Sequence, residues 1–164
     1  MKDKKLSLLM TLAFVAVATF ISAQTLEEGI TKIEKEDYAG ARQIFEKLSA
    51  AKPEAAEPYY YIGESYYEEE RYDLARQSYD KGLAMNKDAA LCLIGQGKLA
   101  LDAKKTDEAA KLFEKAGKWT RNKKANIFYE IAKAYTFSLN PNADLALETI
   151  DKAIVLNNKD SRNY

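Results

Sequence analysis

The chain contains no histidine, one cysteine, three prolines and seven glycines, and its 25 basic side chains are balanced by 25 acidic ones. Each scarcity excludes something. Without histidine there is no imidazole base and no imidazole metal ligand. One cysteine cannot form an intramolecular disulfide, and no Cys/His zinc site can be built. Zero formal charge argues against a general polyanion binder. Few prolines and glycines leave long stretches free to be helical, and Ala, Leu, Glu and Lys are abundant. With 47% hydrophobic residues in 164, there is enough apolar surface for a packed core and little case for wholesale disorder.

The amino terminus reads as an address. Lys2, Lys4 and Lys5 precede an apolar stretch from Leu6 to Phe20, followed by Ile21-Ser22-Ala23-Gln24. A charged start, a short apolar run and a small-residue exit make a secretory signal peptide, residues 1–23, with cleavage after Ala23. The run is short for a stable span of about 20 residues, so an uncleaved anchor is the lesser reading. The style of the signal is bacterial and points to the periplasm or cell envelope. Removing Lys2, Lys4, Lys5 and Asp3 leaves 22 basic and 24 acidic side chains, a net charge of −2.

The remainder repeats. Gly29, Gly63 and Gly97 are 34 residues apart, as are Ala41, Ala75 and Ala109, and Phe45, Tyr79 and Phe113. Three positions sharing one period signal a repeat architecture. A fourth copy follows with a slip. Ala132 takes the glycine position, Ala146, Ile150 and Ala153 complete it, and the turn-prone Ser138-Leu139-Asn140-Pro141-Asn142 absorbs the extra residues. Each unit predicts two helices. In the second, Tyr59, Ile62 and Tyr66, then Leu74, Tyr79 and Leu83, recur at helical spacing around a break near Glu70-Arg71. Thr25-Leu26-Glu27-Glu28 is a capping-box pattern, Pro58 suits a first helical turn, and Thr106-Asp107-Glu108 can start a helix. One helix pair cannot bury its apolar face alone, so neighbouring pairs must stack.

These residues resemble the tetratricopeptide repeat family, in the exported bacterial type. The match runs through Tyr59, Ile62, Gly63, Tyr66, Ala75, Tyr79 and Gly82 of the second unit, and Leu93, Gly97, Ala109, Phe113 and Ala116 of the third. Gly29, Ala41, Phe45 and Pro53 carry it in the first, and Phe128, Ile131, Ala132, Tyr135, Ala146, Ile150 and Ala153 in the fourth. The resemblance implies an all-α, right-handed α-solenoid of helix–turn–helix units over about residues 24–55, 56–89, 90–123 and 124–158. Departures are Lys87 and Arg121 at a position usually held by proline, and Thr25 and Lys32 at bulky positions, which makes the first unit the worn end. Counting on, residues 159–164 form a tail or the start of a further repeat, with Ser161 opening it. No solvating cap helix follows, so the chain reads either as the front part of a longer protein or as one whose last residues fray. A fragment would expose Ile150, Ile154 and Leu156 of the fourth unit and self-associate.

Candidate chemistry is thin. Gly95-Gln96-Gly97-Lys98 lacks the strand, spacing and Ser/Thr of a phosphate-binding loop. Glu64, Glu68, Glu69 and Glu70 read as a solvated acidic patch, Cys92 as a small buried residue, and Trp119 as core. No catalytic residue, no metal ligand and no cofactor is expected, and the chain is read as no enzyme. The tyrosines carry more. Tyr59 and Tyr66 match the core pattern, whereas Tyr60, Tyr61 and Tyr67 are surplus to it. The resemblance places Tyr60, Glu64 and Tyr67, then Ile94, Lys98 and Leu101, then Tyr129, Lys133 and Phe137 along a concave groove, together with Glu57, Glu68, Leu91, Asp102, Asn126 and Thr136. Such an aromatic stripe edged with charge suits a peptide segment; the alternative is that these side chains pack against neighbouring helices or against later repeats. The clamp by which some family members grip chaperone tails is absent, because Leu26, Ile30, Tyr61, Leu91 and Gly95 stand at its positions.

The expected function is a non-catalytic protein-interaction scaffold of the cell envelope that binds a protein or peptide segment, with no nucleic acid and no small-molecule cofactor. The alternative is a structural spacer or oligomerisation arm of a longer envelope protein whose activity lies beyond residue 164.

Overall fold

Eight helices, and no strand among the described residues, follow one another along the chain. The structure, a computed structural model, describes residues 25–120 and 124–160. The signal-peptide reading and the start of a fifth unit at Ser161 lie outside the described residues. The helices are α1 (25–34), α2 (Tyr38–Ala51), α3 (Glu57–Glu68), α4 (Tyr72–Met85), α5 (Ala90–Asp102), α6 (Thr106–Trp119), α7 (Ala125–Phe137) and α8 (Ala143–Asp160). They pair as α1/α2, α3/α4, α5/α6 and α7/α8, and the pairs stack into a helical solenoid. Helix α5 sits at its centre, in contact with α3, α4, α6 and α7.

The 34-residue period has a physical cause in each pair. The rings of Phe45, Tyr79 and Phe113 lie directly on Gly29, Gly63 and Gly97, so closely that a Cβ at any of these glycines would collide with ring carbons. The small residue lets the first helix approach, and the ring seals the contact. Tyr79 is also pressed on Gly95 of the next pair, so one fully buried ring ties two units together. The core is accordingly a chain of local clusters: Ala41, Phe45 and Ile62; then Tyr60, Tyr67, Ala75, Tyr79 and Cys92; then Leu93, Phe113, Ile127, Ile131 and Tyr135. Burying each such aromatic side chain contributes about 1.5–3 kcal/mol.

The turns inside the first three pairs are built alike. Glu36, Glu70 and Lys104, again 34 residues apart, all have positive φ, near 60°. At each the chain reverses through the same pair of backbone bonds: Glu70 N–H donates to Tyr67 O and Arg71 N–H to Tyr66 O, with equivalents at Glu36/Asp37 and Lys104/Lys105. This is a Schellman ending, which satisfies the last carbonyls of the first helix and usually employs glycine. Here Glu and Lys occupy it, at a conformational cost of about 1 kcal/mol each. The second helices then begin with Asp37 capping Gly40 N–H at 3.0 Å in α2, and with Asp73 or Asp107 and Glu108 in the first turn of α4 and α6.

Two expectations need correction here. Trp119 is not core: it is the last residue of α6, where the packed face runs out, and is about half exposed, like Met85 at the end of α4. Tyr59 and Tyr66 are only half-buried, whereas Tyr60 and Tyr67, thought surplus to packing, are 5% and 7% exposed. The reason is curvature. Successive first helices crowd on the concave side, so residues facing the groove are also those squeezed between neighbours. Cys92 is buried as expected; burial, with Glu64 nearby, pushes its thiol up to about 12.

Candidate concave binding groove

Only first helices line the concave side. Ile30, Ile33 and Glu34 of α1, Tyr60, Tyr61, Glu64, Tyr67 and Glu68 of α3, Ile94 and Lys98 of α5, and Tyr129, Glu130, Lys133, Ala134 and Phe137 of α7 enclose a cavity of about 760 Å³. A space of this size is in the range of ligand and peptide-anchor pockets. Glu57, Leu91, Asp102, Asn126 and Thr136 stand outside this cavity, and of the other ten residues placed in the groove by sequence nine converge there: Tyr60, Glu64, Tyr67, Glu68, Ile94, Lys98, Tyr129, Lys133 and Phe137. Leu101 does not. It is buried with Phe113, Ala134 and Tyr135, because α5 is surrounded on all sides and its groove edge is core as well.

The floor and the rim of this cavity differ. Tyr60, Tyr67, Ile94 and Lys98 form a nearly closed floor. Tyr129, 52% exposed, and Phe137, 68% exposed, stand on the rim at α7. They are large apolar surfaces that the described residues leave uncovered.

The floor holds a polar network. Glu64 accepts a hydrogen bond from the Tyr79 hydroxyl at 2.5 Å and one from Lys98 Nζ at 3.2 Å. Lys98 Nζ also lies 3.6 Å from Glu68 and 3.4 Å from the Tyr67 ring centroid. The ammonium is thus held by two carboxylates and an aromatic face, which replaces the water it has lost. Glu64 is therefore no member of a solvated patch, whereas Glu68 keeps much of its solvent contact. On the far side the Tyr60 hydroxyl donates to Glu130 at 3.4 Å, reaching from α3 to α7 across the groove, and Glu130 pairs with Lys133 at 3.1 Å. Burial, reinforced by these carboxylates, pushes the Tyr60 hydroxyl well above its ordinary range, and Tyr61 up to about 12. Burial and then Asp102 do the same at Tyr67.

Glu34, Ile33 and Glu130 join the groove without having been expected in it. Glu130 follows Tyr129 in sequence, and only the curvature of the solenoid brings it to Tyr60. Outside the groove, Arg42 makes a bidentate pair with Glu69 at 3.0 and 3.1 Å while stacking over Tyr66 at 4.4 Å, which fixes α2 on the end of α3. Among the described residues no cluster of His, Cys, Asp or Glu is arranged to hold a metal, and no helix is long and apolar enough to cross a membrane.

Comparison with known proteins agrees with this architecture. A tetratricopeptide repeat model matches residues 26–90 and again 65–122. Among solved structures the chain is similar to PilF of Pseudomonas aeruginosa, at 20% identity and a TM-score of 0.60, covering 84% of this chain and 61% of that one. It is similar also to the type III secretion translocator chaperone SycD of Yersinia enterocolitica, at 16% identity and a TM-score of 0.57, covering 82% of this chain and 92% of that one. A third is MamA, at 19% identity and a TM-score of 0.53, with 86% and 81% covered. No curated protein matches the chain.

Proposed function

The chain belongs to the tetratricopeptide repeat family, and from that premise we propose that it is a non-catalytic scaffold whose concave groove holds a segment of a partner protein. The observation that carries this reading is the single cavity to which α1, α3, α5 and α7 all contribute, with Tyr129 and Phe137 uncovered at its rim. Large, rather rigid aromatic rings give contact area at small entropic cost, and they dominate many binding surfaces. The scaffold works in the bacterial cell envelope, after removal of residues 1–23. Nucleic acid is not its ligand, since carboxylates outnumber ammonium groups around the cavity.

Replacing both Tyr129 and Phe137 by alanine tests the groove. Both are exposed, so helix content and melting temperature stay close to wild type, while partner capture from envelope extract falls at least tenfold. Undiminished capture would sink the groove reading. The envelope assignment is checked by the intact mass of the protein recovered from the periplasm, which should begin at Gln24.

A second reading has its own support. Leu147 and Ile154 stand exposed on one face of α8, and exposed Val155 lines an apolar cleft of about 780 Å³ between α6, α7 and α8 on another. An exposed apolar face of this kind favours self-association through the fourth pair, as in a spacer or oligomerisation arm. Light scattering of the purified chain, with and without Ile154→Glu, tests it: the wild type should dimerise and the variant should not.

A further inference from the structure

The charges around the groove say which segment it suits. Four carboxylates, Glu34, Glu64, Glu68 and Glu130, line the cavity, against two ammonium groups, Lys98 and Lys133. Both lysines already have carboxylate partners: Lys98 is enclosed by Glu64, Glu68 and the Tyr67 ring, and Lys133, though half-exposed, is paired with Glu130. On the acidic side, Glu34 is exposed and makes no ion pair among the described residues, and Glu68 keeps solvent contact while holding Lys98 only at 3.6 Å. What remains available is negative charge beside uncovered aromatic surface.

The groove also displays how it treats an ammonium. Lys98 of α5 reaches the α3 wall and rests between carboxylates with its nitrogen over a tyrosine face. The rim repeats these elements: Lys133, paired with Glu130, lies 5.9 Å from the Tyr129 ring centroid, while Glu34 makes no ion pair among the described residues and Phe137 carries no cation among them. An acidic segment would meet four carboxylates against two ammonium groups that already have carboxylate partners. A wholly apolar segment would strip their water and return nothing.

We infer that the groove takes a basic, apolar peptide segment, in which lysine or arginine alternates with aliphatic or aromatic residues: the cations face Glu34 and Glu68, and the apolar side chains cover Tyr129, Phe137, Ile30 and Ile33. This rests on the reading of the concave face as the partner site.

The test uses the purified chain and three short fluorescent peptides, of alternating lysine and leucine, serine and leucine, and glutamate and leucine, followed by anisotropy. The lysine peptide should bind about tenfold or more tightly than the glutamate peptide at low salt, with the gap closing as salt rises. The double variant Glu34→Gln, Glu68→Gln, both exposed positions, should weaken the lysine peptide about fivefold and leave the serine peptide unchanged. Equal or tighter binding of the glutamate peptide, no effect of the double variant, or no binding of any peptide overturns the inference. The two readings fail differently. If Tyr129→Ala with Phe137→Ala weakens all three peptides alike and the charge variant does nothing, the groove stands and its basic occupant falls. If the aromatic variant changes nothing, the peptides bind elsewhere and both fall.

Discussion

The first three helix pairs and the fourth obey different rules. In the first three a ring lies on a glycine, and a residue with positive φ closes the turn through the same two backbone bonds. In the fourth, Ala132 and Ile150 stand at the glycine and ring positions, and Ser138 leaves α7 in an extended conformation. The wider turn is held from outside: Asn140 Nδ2 donates to Leu101 O at 3.0 Å and Asp102 O at 3.1 Å, and Leu139 N–H donates to Asp102 Oδ1 at 2.7 Å. Helix α6 touches α7 far less than α2 touches α3 or α4 touches α5, and the apolar cleft beside α8 opens there. Repetition thus secures the front of the solenoid. The back is fastened by contacts that occur once, and it exposes the aromatic rim and the apolar face of α8.

The contrast is sharpest at the ring position. Tyr79→Ala removes a fully buried ring shared by two pairs and should cost about 3–5 kcal/mol, whereas Ile150→Ala, half-buried, should cost about 1–2. Urea unfolding of the two variants measures this, and equal losses would erase the distinction. Next come the two lysines. Lys98→Met leaves Glu64 largely buried without its cation and should lose about 2–3 kcal/mol, while Lys133→Met breaks an exposed pair and should lose no more than about 0.5. The same unfolding experiment decides, and a costly Lys133→Met would show that the fourth pair is tied down more firmly than its contacts suggest.

Asn140→Ala tests the fastening itself. Loss of about 1–2 kcal/mol should appear in hydrogen exchange as faster opening of α7 and α8, with α3 to α5 unchanged. Uniform acceleration would mean that the solenoid opens as one unit. The smallest effect concerns the turns. Glu70→Gly relieves a positive φ and should stabilise by about 0.5–1 kcal/mol, whereas Leu139→Gly, at an exposed residue of the fourth turn without positive φ, should destabilise slightly. Melting temperatures that move the same way in both would refute the turn argument.

Much of the fold was legible because its cause is periodic. A glycine, an alanine and a ring at 34-residue spacing are local demands of one helix pair, and each pair makes them again. The break at Glu70-Arg71, Pro58 in the first turn of α3 and Thr106 at the start of α6 were equally readable, since turns and helix starts depend on neighbouring residues. The lining of the concave cavity was legible in part of its membership and not in character. Tyr60 and Tyr67 occupy groove positions yet serve as packing, and Leu101 was lost to the core, because burial at a concave surface depends on how tightly the solenoid curves. Glu130 and Glu34 gave no signal, since nothing near them in sequence marks their approach to residues of other units.

The sequence by itself determined the repeat, its two-helix unit and the exclusion of imidazole chemistry, a Cys/His zinc site and an intramolecular disulfide, because these follow from spacing and from which side chains exist. Tertiary structure alone decided which tyrosines are buried, that Lys98 is held by Glu64, Glu68 and Tyr67, and that Tyr129 and Phe137 stand exposed on a cavity that Glu34 also lines. Those outcomes depend on the angle between successive pairs. That angle is set by the summed packing of residues far apart in the chain, and no local window of sequence contains it.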